Sequence, residues 1–196
     1  KAALLKAIVD TCGRGRNELW VTEMNWPLKG TGKYYPASGQ PNVSENDQAD
    51  YLVRYYVLCL ASGFINRIYW WQLAAPGYGL IDTRNGIWRK RPSYLAMKEM
   101  VDRLQYSRFI RKLPHPEASL FLFIKKGHPF LIAWTLRPSL QIRLSVKPAS
   151  VKSLIGEPFA VTDKIVALDG SPRYIMFESS ASPGEIGLAP QDSGFP

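Results

Sequence analysis

Glu23 closes the short β-forming run Leu19-Trp20-Val21-Thr22, and Asn25 and Trp26 follow it at once. Tyr34 and Tyr35 lie in the same loop, and a second apolar run, Ile68-Tyr69-Trp70-Trp71, leads into Gln72 and Tyr78. A carboxylate at a strand end is ordinarily a cap or an ion-pair partner. Its neighbours here point to another use. Aromatic faces stack on the apolar faces of sugar rings while Asn and Gln bind hydroxyls, so the mixture suits a carbohydrate cleft. In such a cleft a carboxylate can be the nucleophile of retaining glycoside hydrolysis, with a second carboxyl about 5–5.5 Å away as acid/base.

The elements that must position these groups follow from periodicity. Strand alternation puts Leu19, Val21 and Glu23 on one face, so that Glu23 crowns whatever interior Leu19 and Val21 line. Trp20 then turns toward the covering helices, and at most one of Trp70 and Trp71 faces the interior. Upstream, Leu4, Leu5, Ile8, Val9 and Cys12 fall at helical spacing, with Gly13 as a stop. After a loop containing Pro27, Gly30, Gly32, Pro36, Gly39 and Pro41, Ser44 and Asp47 have the spacing of a capping box. Ala49, Leu52, Val53, Tyr56 and Leu60 form the stripe of that helix, which Gly63 closes. Pro92 suits a first helical turn, and Tyr94, Leu95, Met97, Val101 and Leu104 supply a core face for a third helix.

Helix, strand, helix, strand, helix implies right-handed βαβ units and a parallel sheet. Parallel α/β folds carry their sites at the C-terminal strand ends, where Glu23 stands. Two parallel strands do not make a stable sheet alone. The expectation is that their partners lie upstream of Lys1, in a chain that starts inside a fold, without an initiator Met.

From Ser107 the period changes to two. Leu120–Ile124, Phe130–Leu136, Leu140–Val146 and Tyr174–Phe177 read as strands, with Lys125-Lys126-Gly127-His128 as a hairpin loop and Asp169-Gly170-Ser171-Pro172 as a turn. The expected organisation is α/β followed by all-β. An α/β part covers 1–106, a small antiparallel β-sandwich 107–178, and a Ser-, Gly- and Pro-rich tail or tie-back strap 179–196.

Other chemistries lose support. The 196 residues carry a net charge of +9, but Arg14, Arg16, Lys125, Lys126, Lys147 and Lys152 are scattered. Only Arg89-Lys90-Arg91 forms a run, read as a solvated basic surface, and no nucleic-acid motif accompanies it. No apolar run approaches the roughly 18 residues of a membrane span. Cys12 and Cys59 read as buried helix thiols, and His115 and His128 are too few for a metal site. Neither cofactor nor metal is expected, because the HExxH, CxxC, GxSxG and phosphate-loop motifs are all missing.

Taken together, Trp20-Val21-Thr22-Glu23-Met24-Asn25-Trp26-Pro27 resembles the seventh-strand segment of clan A glycoside hydrolases, family 39-like, where a Thr-Glu pair presents the nucleophile. Ile68-Tyr69-Trp70-Trp71-Gln72-Leu73 resembles the eighth strand, whose terminal Trp floors the innermost sugar site. Gly79-Leu80-Ile81-Asp82 and Arg91-Pro92-Ser93-Tyr94 are similar to the loop and helix that close such barrels, and Pro172-Arg173-Tyr174-Ile175 to the last strand of their β-domain. The resemblance implies the last two βα units of a TIM barrel, incomplete in this chain, plus a β-sandwich. It implies Glu23 as nucleophile, Trp70 rather than Trp71 as sugar floor, and Asn25, Trp26 and Tyr78 around the cleft. The partners it implies are a carbohydrate substrate and the N-terminal part of the same barrel, which would bring the acid/base Glu on its fourth strand. Glu18 and Glu45 do not substitute, one at the wrong strand end and the other in a helix start. The competing reading is a non-catalytic carbohydrate-binding or scaffolding protein on a degenerate barrel.

Overall fold

The computed structural model describes residues 2–12, 18–34 and 42–189. Gly13, Arg14, Arg16, Tyr35, Pro36, Gly39, Pro41 and the tail from residue 190 lie outside the described residues. The chain divides into two units, Lys1–Leu95 and Ala96–Pro196. That division falls inside a helix rather than at residue 106.

The first unit contains α1 (Ala2–Cys12), β1 (Leu19–Met24), α2 (Glu45–Ser62), β2 (Ile65–Trp70), β3 (Ile81–Asp82) and β4 (Arg89–Lys90). The third helix, α3 (Pro92–Leu104), begins in it and ends in the second unit. Strands β1 and β2 pair in parallel and α2 connects them, the βαβ order expected from the pattern. Helix α2 starts with a complete capping box: Ser44 Oγ accepts from Asp47 N at 3.0 Å, and Asp47 accepts from Ser44 N at 3.1 Å. Its end is Gly63, whose φ of 69° is the left-handed conformation that a side chain would strain. The buried stripe is Gln48, Ala49, Leu52, Val53 and Val57; of the expected positions Tyr56 is half-buried and Leu60 exposed, and Gln48 and Val57 are the additions.

Three expectations are corrected in this unit. Helix α1 has the amphipathic pattern but no buried residue; Leu4, Leu5 and Ile8 are 67%, 52% and 50% exposed. Cys12 is accordingly an exposed thiol, while Cys59 is half-buried and its pKa is raised by that burial. On α3 the covered positions are Ser93, Ala96 and Met100, with Leu95 and Val101 exposed. The face is rotated because Ser93 turns inward to bond Gln48.

The second unit adds β5 (Arg108–Leu113), β6 (Ala118–Lys125), β7 (His128–Thr135), β8 (Leu140–Arg143), β9 (Ser150–Lys152), β10 (Pro158–Phe159), β11 (Ile165–Leu168) and β12 (Arg173–Met176). Six strands form one antiparallel sheet in the order β10-β9-β12-β7-β6-β5, and β8 pairs with β11 in a ribbon. Lys125 pairs with His128, leaving Lys126-Gly127 as a two-residue turn with both φ values positive, at 50° and 83°. Leu120, Leu122, Leu131, Ala133, Val151 and Ile175 line one sheet face, and Ile142, Leu144, Val166 and Leu168 of the ribbon join the same buried cluster. The opposite face is aromatic, with Phe121 stacked on Trp134 at 5.2 Å and Phe123 on Phe130 at 5.5 Å. Residues 179–189 run along this unit: Ile186 is fully buried, and Ser145 N donates to Gly187 O at 3.0 Å.

Candidate functional site

Glu23 reaches its position through an irregularity in β1. The aligned pairs are Val21 with Ile68 and Met24 with Trp70, so β1 uses one more residue than β2 between them. That extra residue breaks strict alternation. Leu19, Val21 and Met24 are covered or half-covered, whereas Trp20, Thr22 and Glu23 are exposed. Two sequence expectations change with it. Glu23 does not share the covered face of Leu19 and Val21, and Trp20 is not packed away from it. Trp20 is 50% exposed, with the Arg67 guanidinium 5.0 Å above its ring and Tyr69 at 6.2 Å. Among the described residues no group hydrogen-bonds or ion-pairs with the Glu23 carboxylate.

Beside it, β2 ends in two tryptophans with different surroundings. Trp70 pairs with buried Met24, packs against Trp26 at 6.2 Å, and has a buried Nε1 without a partner among the described residues. Trp71 is 43% exposed and meets the Tyr78 ring at 5.6 Å; the Trp71–Gln72 peptide bond is cis. The exposed ring at this strand end is Trp71. Trp26 is likewise engaged, with its ring 5.4 Å from Tyr51 and 6.0 Å from Tyr55 of α2. Tyr34, across the same loop, is exposed, and Lys33 lies 5.3 Å from its ring centroid.

Asn25 faces neighbours rather than open space. Its Nδ2 donates to the carbonyls of Trp71 and, at 3.3 Å, Tyr78, while its Oδ1 accepts from Trp26 N at 2.6 Å. Fully buried Gln48 completes the knot, donating to Tyr78 O at 2.9 Å and Trp26 O at 3.0 Å. Ser93 Oγ in turn donates to Gln48 Oε1 at 2.8 Å. The ends of β1 and β2 are also joined directly, Trp71 N donating to Met24 O at 3.2 Å. Asn25 thus organises the site from within, because both ends of its amide are already used.

An ion-pair network holds the loops beneath. Arg91 is fully buried and donates to Gly79 O and Pro76 O at 2.6 Å each and to Ala75 O at 3.0 Å. Its charge is met by Glu45 at 3.1 Å and Asp82 at 3.3 Å. Arg84 binds Asp82 at 2.6 Å and reaches back to Gly30 O at 2.9 Å, and Arg89 bridges Glu45 at 2.5 Å and Asp82 at 3.1 Å. The basic run is therefore not a solvated surface, since two of its three members are ion-paired. Hydrogen bonds from Arg84 hold the Asp82 carboxyl far below its usual range, against the opposing effect of burial. Arg89 does the same for Glu45. Burial lowers the Arg91 pKa, an effect that Asp82 and Glu45 oppose.

Sequence reasoning missed Gln48, and met Asp82, Arg91 and Ser93 only as parts of a closing loop and helix, with no role of their own. Gln48 ends the polar run Ser44-Glu45-Asn46-Asp47-Gln48, just before the apolar stripe begins at Ala49, so its type carried no signal. Among the described residues no group of three or more His, Cys, Asp or Glu could hold a metal ion.

No family model and no curated protein matches this sequence. Solved structures do. The chain is similar to a family 39 glycoside hydrolase from the gut symbiont Bacteroides cellulosilyticus WH2, with TM-score 0.68 and 20% identity over 90% of this chain and 38% of that one. It is similar to a family 30 endoxylanase from Clostridium papyrosolvens C71, with TM-score 0.52 and 14% identity over 82% of this chain and 42% of that one. It also resembles a conserved exported protein from Bacteroides fragilis, with TM-score 0.57 and 11% identity over 90% of this chain and 43% of that one. The chain thus shares its fold with part of a family 39 glycoside hydrolase structure, and spans under half the length of these structures.

Proposed function

We propose that this chain is the C-terminal part of a retaining glycoside hydrolase, with Glu23 as its nucleophile. On this reading the first unit supplies the last two βα units of a (β/α)8 barrel, and the second is an accessory β-sandwich. The observation that carries it is the extra residue in β1, which leaves Glu23 exposed and unpartnered at the C-terminal end of a parallel strand. Exposed Trp71 directly follows the neighbouring strand and meets half-buried Tyr78 of the next loop, in a chain that folds like a family 39 glycoside hydrolase.

In the intact protein the Glu23 carboxylate attacks the anomeric carbon while an acid from an earlier strand protonates the departing oxygen. The resulting glycosyl ester is hydrolysed by water, which the same acid, now a base, deprotonates. Trp71 offers its face to the apolar side of the sugar ring. Asn25 acts through the strand ends it joins. The substrate is an O-glycoside of an oligo- or polysaccharide.

A panel of 2-deoxy-2-fluoro glycosides with good leaving groups tests this by stalling breakdown of the covalent intermediate. Peptide mapping of the intact protein is expected to find the added sugar on Glu23. Label on another carboxylate moves the nucleophile elsewhere. Sugar binding with neither label nor turnover leaves the carbohydrate-binding reading in its place.

A further inference from the structure

We infer that Gln48 is a positioning residue, setting the Trp71–Tyr78 aromatic pair against the strand end that carries Glu23. This rests on the glycosidase reading of the same site. Gln48 belongs to neither strand; it stands in the first turns of α2, on the helix's buried face. From there it touches both strand ends and α3. It donates to Trp26 O, just beyond β1, and to Tyr78 O in the loop after β2, and it lies 3.3 Å from Asn25 Oδ1. Its oxygen is held by Ser93 of α3.

The chemistry selects an amide. Carbonyls accept only, so the Gln48 nitrogen must face Trp26 and Tyr78, and its oxygen is left for the Ser93 hydroxyl. A carboxylate would bring no donor to the two carbonyls, and a thioether no donor at all. Asn25 bonds the same two segments from within the first, through Trp26 N and Tyr78 O; Gln48 reaches both from a separate helix. The arginine network holds Ala75, Pro76 and Gly79 through Arg91 and meets the loop after β1 at Gly30 through Arg84, away from Asn25 and Trp26. Gln48 and Asn25 therefore share one task from two sides. Both fix the Tyr78 carbonyl, and through it the ring that packs on Trp71.

The test compares Gln48→Met, close in shape but without donors, with Val53→Ala, a cavity on the same buried helix face. Both are made in the intact protein and matched by thermal denaturation. Hydrogen exchange of peptides covering residues 71–80 is expected to quicken at least about tenfold in Gln48→Met and to stay near wild type in Val53→Ala. On an activated aryl glycoside, kcat is expected to fall roughly 10- to 100-fold with a smaller change in KM, the size that misplacement by about 1 Å produces. Val53→Ala is expected to keep kcat within about twofold. Ser93→Ala gives the same pattern at smaller amplitude, and decides the matter if Gln48→Met does not fold. Unchanged exchange over 71–80, or a kcat loss that follows stability equally in all variants, overturns the positioning role. If the wild-type protein hydrolyses no glycoside, the glycosidase reading fails, and the exchange data still decide whether Gln48 ties the two loops.

Discussion

The two units solve the problem of burial differently. In the second, both faces of a six-stranded sheet are covered: aliphatic residues meet the β8–β11 ribbon on one side, and Phe121, Phe123, Phe130, Trp134 and Tyr174 are buried on the other. In the first, two parallel strands stand alone, and Leu4, Leu5, Ile8, Trp20 and Tyr69 face outward. Antiparallel strands joined by tight turns can close a core from local sequence. Parallel strands gain theirs only from neighbours around a sheet. The second unit is stabilised as a fold, whereas in the first the tight order is concentrated around the strand ends, in the Gln48 knot and the arginine network. On the proposed reading, the outward apolar side of the first unit is where further βα units pack.

The largest effect expected belongs to the open unit. Glu23→Gln in the intact protein should lower kcat by roughly 10³-fold or more, about 4 kcal/mol of transition-state stabilisation, with the folding transition unchanged. Near-normal turnover would remove the functional half of the comparison. Next comes packing. Leu131→Ala in the closed unit should cost about 2–5 kcal/mol in urea denaturation. Leu5→Ala on α1 should stay within about 0.5 kcal/mol in this 196-residue chain and, on the proposed reading, cost more in a protein that adds further βα units. A large cost for Leu5→Ala in the chain alone would mean that α1 is already covered, and the contrast would collapse.

The arginine network sharpens the comparison through pH. Asp82 and Glu45 have folded pKa values below their ordinary 3.8 and 4.5, so each contributes stability that is present above those values. It is lost as pH falls through the depressed folded values, Asp82 being among the last groups to protonate. Acid should therefore loosen the loops after β1 and β2 from about pH 4.5 downward, followed by hydrogen exchange of residues 75–84. Asp82→Asn should lower stability by roughly 3 kcal/mol at neutral pH and flatten that acid slope. The smallest effect is at the cap: Ser44→Ala should cost about 1 kcal/mol, since Asp47 N loses its acceptor. An equal loss from Asp47→Ala would show both halves of the capping box to be at work.

Local rules made much of this legible. Ser44, Asp47 and Gly63 mark the ends of α2 by their own chemistry, and Lys126-Gly127 marks its hairpin, because caps and tight turns are decided within a few residues. Strands such as β9, β10 and β11 were not legible. They are short and owe their existence to partners far along the chain, so periodicity had little to act on. At the site, Glu23 and the aromatic strand end were visible from residue types. Which of Trp70 and Trp71 is exposed, and that the Asn25 amide is bonded at both ends, were not legible, because they follow from one extra residue in β1 and from partners far along the chain.

By itself, the sequence determined the order α1, β1, α2, β2, α3, the capping of α2, and the placing of a carboxylate and two tryptophans at adjacent strand ends. Tertiary structure alone decided that Arg91 is buried, that Gln48 spans two loops, and that Glu23 has no partner among the described residues while Trp71 is exposed. The reason is physical. A cap or turn is an interaction between residues a few apart, but register, burial and buried polar networks depend on groups tens of residues apart meeting in space.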